Sequence, residues 1–221
     1  MEPLPAALLT VAAIAAVVDW AAVWSDSPRA RAVERVAKPA VLLALLAAVL
    51  AWPAGAGAGA DVRPWLVAAL AASLAGDVLL LPPGRFVGGL VAFLLAHLAY
   101  LGAFAQLPGM VPWLVVGLAM AVLLAVTVGR VLVTAAHRTG LGVPVAVYLA
   151  AIMAMAVAAT RTGLPAAILG AWLFVASDSM LGWGRFRAPA AGSDRGARGL
   201  RVAVIVTYHL GQLLLVAALV G

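Results

Sequence analysis

The chain has 221 residues and no cysteine. That absence excludes disulfides, thiolate nucleophiles, Cys-ligated zinc and covalently attached haem. Charge is nearly as scarce: Asp, Glu, Lys and Arg make up 10% of the residues, where an ordinary soluble domain has about 25%. Meanwhile 66% of the residues are hydrophobic. A water-soluble fold of this length could not hide so much apolar surface, so soluble enzymes are excluded. Disordered chains and nucleic-acid-binding proteins are excluded with them, and no nucleic-acid partner is expected. The net charge of +6 is therefore read through membrane topology and not through phosphate contacts.

What remains is a series of long apolar runs. Crossing the hydrocarbon takes about 20 mostly apolar residues. On that measure the chain is an all-α polytopic membrane protein, a single integral domain over 1–221. Eight transmembrane helices are expected at about 4–24, 38–52, 64–81, 86–106, 111–130, 144–160, 165–184 and 201–220. Glu2 stands where a leader would carry a basic n-region, so the first run is expected to be a span and not a signal peptide. The uncharged stretch from Phe86 to Gly129 is too long for one crossing, and the break Leu107-Pro108-Gly109-Met110-Val111-Pro112 divides it.

The basic residues test this count. With connections numbered alternately, one side receives Arg29, Arg31, Arg35, Lys38, Arg85, Arg130, Arg138, Arg185, Arg187, Arg195, Arg198 and Arg201, and the other only Arg63 and Arg161. Basic residues in short loops stay cytoplasmic, which puts both termini on the non-cytoplasmic side. A miscounted helix would scramble this division. The halves also echo each other: Gly76-Asp77 precedes Gly84-Arg85-Phe86, and Ser177-Asp178 precedes Gly184-Arg185-Phe186. Each following helix holds a histidine, His97 or His209. Four helices separate the copies, which suggests two parallel four-helix repeats.

Against this background three acids stand out. Asp19, Asp77 and Asp178 lie within spans, and charges there usually face a cavity or a partner. Each lies one or two turns from the cytoplasmic end of its helix, roughly 6–10 Å deep at 1.5 Å per residue. Asp19, beside Trp20 near the interface, is expected to cap or to snorkel. Asp77 and Asp178 have no Lys or Arg on the same turn and are the candidates for chemistry. Other polar residues converge on that level. Lys38, the only lysine, begins the second span directly before Pro39. Tyr148 shares a face with Ile152 and Met155. Tyr208 and Gln212 are four apart, with His209 between them. Phe93, His97, Tyr100 and Phe104 form one stripe. These are the residues expected to bind an amphiphilic substrate, though each could equally serve as packing or interhelical hydrogen bonding. His137, beside Arg138, is expected in a solvated loop.

The ordered set Lys38-Pro39, Ser73-Leu74-Ala75-Gly76-Asp77, Phe86 to Gly89, Phe93, His97, Tyr100, Tyr148, Gly170-Ala171, Phe174, Ser177-Asp178, Tyr208 and Gln212 resembles the YhhN-like family of membrane lysoplasmalogenases. The first helix matches weakly. The resemblance implies hydrolysis of the vinyl-ether bond of a lysophospholipid, releasing a fatty aldehyde and a glycerophospho-choline or -ethanolamine. The implied partners are that substrate and the membrane lipid around it, in a bacterial cytoplasmic membrane. It implies no cofactor and no metal, and sets no oligomeric state. The residues suit the chemistry on their own terms. A vinyl ether is hydrolysed when a proton adds to the carbon distal to oxygen and water captures the resulting oxocarbenium ion. Two carboxyls can share this work if their environments separate their pKa values; Asp77 and Asp178 are expected to be that catalytic pair, one neutral and one ionised.

Other readings compete. Buried acids and histidines at different depths also suit a proton-coupled transporter, although the acids cluster at one level. A zinc hydrolase would need three protein ligands, to be drawn from His97, His209 and the two Asp without any closely spaced His pair. A purely structural protein would leave the coplanar acids unexplained.

Overall fold

A computed structural model describes residues 3–25, 27–53, 61–187 and 194–220, and every regular element among them is helical. Helix α1 is Pro3–Ser25, α2 Pro28–Ala51, α3 Arg63–Leu80 and α4 Phe86–Ala105. There follow α5 (Val111–Leu124), a π-helical turn (Ala125–Gly129), α6 (Arg130–His137), α7 (Gly142–Arg161), α8 (Pro165–Phe186) and α9 (Asp194–Val220). Proline marks several of the starts, in the first turns of α2, α3, α5 and α8, where its missing N–H costs no helical bond. Gly84, Gly140 and Gly163 take positive φ in the links after α3, α6 and α7, a conformation that other residues adopt only under strain.

Seven helices among the described residues are long and apolar enough to cross a bilayer: α1, α3, α4, the continuous run Val111–His137, α7, α8 and α9 from Arg195. The second expected span is the inner part of α2. That helix starts at Pro28, capped by Ser27, whose side chain accepts the Ala30 N–H at 3.1 Å. Its early turns carry Arg29, Arg31, Glu34, Arg35 and Lys38, which dilute its apolar character. Lys38 consequently lies inside the helix and does not begin it. Pro39 follows within the helix and has no N–H to return to the Arg35 carbonyl. Similarly, His137 ends α6 and does not sit in a loop. The helix runs past Arg130 through the π-turn, where Thr127 Oγ1 donates to the Leu123 carbonyl at 2.6 Å.

The chain divides into two compact units: α1–α4 with the end of α9 from Leu215, and Pro108–Leu214. In the first unit α2 packs on both α1 and α3, and α3 on α4. Glycine sets the α3–α4 approach. A β-carbon on Gly76 would meet the Phe93 ring at 2.6 Å, and one on Gly89 would meet Leu80 at 2.5 Å. In the second unit α7 packs on α5, α6 and α8. Gly117, the one buried residue of α5, lies against Thr160 of α7, and Trp172 Nε1 donates to Thr160 Oγ1 at 2.9 Å. Gly211 lets α9 approach the Gly170 carbonyl of α8, where a β-carbon would be 3.0 Å from the oxygen. Small residues at such crossings allow the close backbone approach that holds helices together in lipid.

Gly76→Ala should therefore push Phe93 out of its buried place and destabilise the protein by about 1–3 kcal/mol. Gly88→Ala, whose β-carbon would meet Leu79 at an ordinary 3.7 Å, should be neutral or stabilising by about 1 kcal/mol through helix propensity. Thermal unfolding of the two variants in detergent checks the contrast; equal midpoints would contradict it.

Candidate active site

Each unit presents one of the two candidate acids with a partner of its own. In the first, Asp77 sits on α3 with Ser73 one turn earlier, and both are wholly buried. Lys38 of α2 reaches it, Nζ to Oδ1 at 3.2 Å, with the side chains 15% and 1% exposed respectively. The geometry follows from the sequence: Lys38 is on the inner part of α2, next to the buried Ala37 and Val41. A carboxylate shielded from water needs a counter-charge, and Lys38 supplies it. On α4 the expected stripe is real, with Phe93, His97, Tyr100 and Phe104 all buried. Gly76 lies against Phe93, so the aromatic stripe packs directly beside the turn that carries Asp77.

In the second unit the Tyr148 hydroxyl of α7 donates a short hydrogen bond to Asp178 Oδ2 of α8. Asp178 is partly exposed, unlike Asp77. Ser177 Oγ, the neighbouring hydroxyl, donates to the Val204 carbonyl of α9 at 2.9 Å and fixes α8 against that helix. Tyr148, Ile152 and Met155 are buried on one face as their spacing implied. Tyr208 meets Phe174 edge to face, with ring centroids 5.3 Å apart and planes at 83°, and is 5.3 Å from the His209 ring. His209 and Gln212 are wholly buried.

The structure thus joins Lys38 to Asp77, Tyr148 to Asp178, and Tyr208 to Phe174 and His209. Asp19 departs from expectation: it is wholly buried on the α1 face with Ala12 and Ala16, and so does not snorkel to the interface. Its spacing from Ala12 and Ala16 was the available signal, obscured by the neighbouring Trp20. Ser73, one turn before Asp77, and Ser177, next to Asp178, are buried hydroxyl residues on the same helices as the acids. Among the described residues no three His, Asp or Glu side chains gather so as to hold a metal ion.

A bundle of long apolar helices with carboxyls inside its spans defines an integral membrane protein. The sequence model of the YhhN family matches residues 33–219, and the chain belongs to that family. It is 38% identical over 189 residues to proteins named lysoplasmalogenase from Mycobacterium bovis and Mycobacterium tuberculosis, covering 82% of this chain and 67% of each relative. It is also 34% identical over 150 residues to human lysoplasmalogenase TMEM86B, covering 68% of this chain and 61% of that protein. No solved structure gives a significant match.

Removing the counter-charge with Lys38→Met should destabilise the fold by about 3 kcal/mol, and Asp77→Asn in the same chain should restore part of the loss. A double-mutant cycle on unfolding midpoints in detergent reads the coupling, for which a value on the order of 1–3 kcal/mol is expected. Additive effects would show that the pair contributes nothing.

Proposed function

We propose that this protein is a lysoplasmalogenase-like hydrolase that cleaves the vinyl-ether bond of a lysoplasmalogen, releasing a fatty aldehyde and a glycerophospho-headgroup. The carrying observation is the buried Asp77–Lys38 ion pair, in a chain at 34–38% identity to proteins named lysoplasmalogenase. Those relatives offer nothing to the transporter reading.

In the proposed mechanism Asp77 and Asp178 are the acid/base groups. A carboxylic acid delivers its proton to the vinyl carbon distal to oxygen, and the electrons of the double bond form the new C–H bond. The positive charge that develops on the ether oxygen and its carbon is stabilised by a carboxylate. Water adds to that carbon, giving up a proton to a carboxylate, and a neutral hemiacetal results. Its collapse breaks the bond between carbon and the glycerol oxygen. That oxygen takes up a proton from a carboxylic acid, and the hemiacetal hydroxyl gives its proton back to a carboxylate, so both acids return to their starting states. Lys38 suits Asp77 to the ionised part, and Asp178, which accepts the Tyr148 hydroxyl, takes the part of the proton donor. His97, Tyr100, Tyr208, His209 and Gln212 line the interior as substrate-binding groups alongside Lys38 and Tyr148.

We further propose that α2 is an eighth span, that both termini lie on the non-cytoplasmic side, and that the membrane is the bacterial cytoplasmic one. The division of the basic residues, 12 to 2, supports this. The parallel-repeat reading draws support from the boundary between the units, which falls at Leu107–Pro108, between the fourth and fifth expected spans.

Purified protein incubated with a lysoplasmenyl lipid should release free aldehyde. Asp77→Asn and Asp178→Asn should each lower the rate by about 10²–10⁴-fold, while Lys38→Arg, which keeps the charge, should retain more activity than Lys38→Met. Folded Asn variants with full aldehyde release would overturn the assignment.

A further inference from the structure

The buried face of α9 continues into charge. Ile205, Tyr208 and Gln212, all buried, recur at the alternating three- and four-residue spacing of one helical stripe. Toward the start of the helix the same spacing reaches Arg201 and then Arg198. Two cations thus stand in line with Tyr208 and Gln212 on the inner side of α9. Their surroundings differ: Arg201 is exposed, and Arg198 is half-buried. The Arg198 Nε is shielded from solvent and meets no hydrogen-bond acceptor among the described residues, and of the basic side chains described it alone has such an atom. A guanidinium N–H hidden from water without an acceptor is costly. A phosphate oxygen is an acceptor whose charge and geometry suit it.

Contacts between α8 and α9 fix the level of Arg198. Ser177 Oγ donates to the Val204 carbonyl, Phe174 meets Tyr208, and a β-carbon on Gly184 would meet Leu200 at 3.2 Å. Residue numbers rise on α8 as they fall on α9, so the helices are antiparallel and Asp178 is level with Val204 and its neighbours. Arg198 is six residues earlier than Val204, about 9 Å along the axis at 1.5 Å per residue. In a lysophospholipid with an alkenyl ether, six bonds separate the vinyl carbon on the ether oxygen from phosphorus, about 7 Å when extended. A hydrogen bond at each end lengthens that to about 10–13 Å, a span that the helical rise and the reach of an arginine side chain cover. Farther from the start of α9, Ile152, Met155 and Phe174 are buried. The order cation, acid, hydrocarbon in the protein is the order phosphate, ether, chain in the lipid. All of these residues belong to the unit Pro108–Leu214.

We infer that Arg198 is the phosphate-binding residue of this site: its guanidinium takes the phosphodiester of a single-chain ether phospholipid and so sets the ether beside Asp178 and Tyr148. The inference rests on the hydrolase reading for the identity of the lipid. Arg198 moves no proton; it makes the protein choose a phosphate-bearing alkenyl lipid over the same lipid without phosphate. Its place on the buried stripe ties that choice to the site and not to the general positive charge around it.

Varying residue and substrate together tests this. Against a lysoplasmenyl phosphocholine, Arg198→Gln should raise KM about tenfold with little change in kcat, the mark of lost ground-state binding. Against the corresponding 1-alkenylglycerol, which keeps the vinyl ether and lacks phosphate, the unaltered protein should already show the raised KM, and Arg198→Gln should add nothing. Arg195→Gln, on the exposed turn before, should leave both substrates unchanged. Binding is read separately by native mass spectrometry in detergent with a saturated 1-O-alkyl lysophosphatidylcholine, which has no vinyl ether to cleave; neither inorganic phosphate nor diacyl phosphatidylglycerol should displace it as well as the unlabelled lysophospholipid does. Should Arg198→Gln not fold, Arg198→Lys decides: it keeps the charge, loses the forked geometry, and should weaken the phosphate-bearing ligand alone by about threefold. An equal change on ligands with and without phosphate, equal displacement by inorganic phosphate or by the diacyl lipid, or the same loss from Arg195→Gln would overturn the inference. Arg198-dependent binding of the alkyl lysophospholipid without aldehyde release from the lysoplasmenyl lipid would sink the hydrolase reading and leave the Arg198 site standing. Aldehyde release indifferent to Arg198 would do the reverse.

Discussion

A carboxylate placed within a bilayer costs about 2.5–3.5 kcal/mol on insertion scales, and the fold offsets that cost at Asp77 by bringing up Lys38 at 3.2 Å. Much else follows from that ion pair. It ties α2 to α3 and gives α2 a reason to run inward with a charged residue in its middle. It also holds a full charge where the surrounding solvent is hydrocarbon, and there a charge acts on its neighbours far more strongly than it would in water. Gly76, one residue away, lets Phe93 close over the same turn.

The second acid is built differently. Asp178 accepts the Tyr148 hydroxyl, on a helix pinned to α9 through Ser177 and through the Gly211 crossing. The proposed mechanism needs the two carboxyls to differ, because identical environments would not hold one as donor and the other as acceptor at the same pH.

The helical architecture was largely legible in the sequence because hydropathy measures the same transfer energy that selects spans. The bounds of α3, α4 and α7 were expected to within a few residues. Legibility failed where a helix carried charge. Ser27-Pro28 was a readable helix start, yet the charges from Arg29 to Lys38 placed the beginning of α2 ten residues late. Arg130 likewise marked the end of an apolar run and not of a helix, and the π-turn before it left no periodic signature. The site was legible as a set of residues and not as a set of pairs. Asp77 and Asp178 are conspicuous because charge is scarce, but Lys38 and Tyr148 lie 39 and 30 positions from their partners. Only the folding of α2 on α3 and of α7 on α8 brings them together. Trp20 beside Asp19 marks an interface, whereas the register of Asp19 with Ala12 and Ala16 decides its burial.

In the proposed mechanism a carboxylic acid protonates carbon to open a vinyl ether, and isotope placement reveals that step. Turnover of a lysoplasmenyl lipid in D₂O, with the aldehyde trapped and examined by mass spectrometry, should yield an aldehyde carrying one deuterium on the carbon next to the carbonyl. In H₂¹⁸O the glycerophospho product should carry no label on the oxygen that was the ether. An aldehyde without carbon-bound deuterium, or ¹⁸O in the glycerol product, would contradict protonation at carbon.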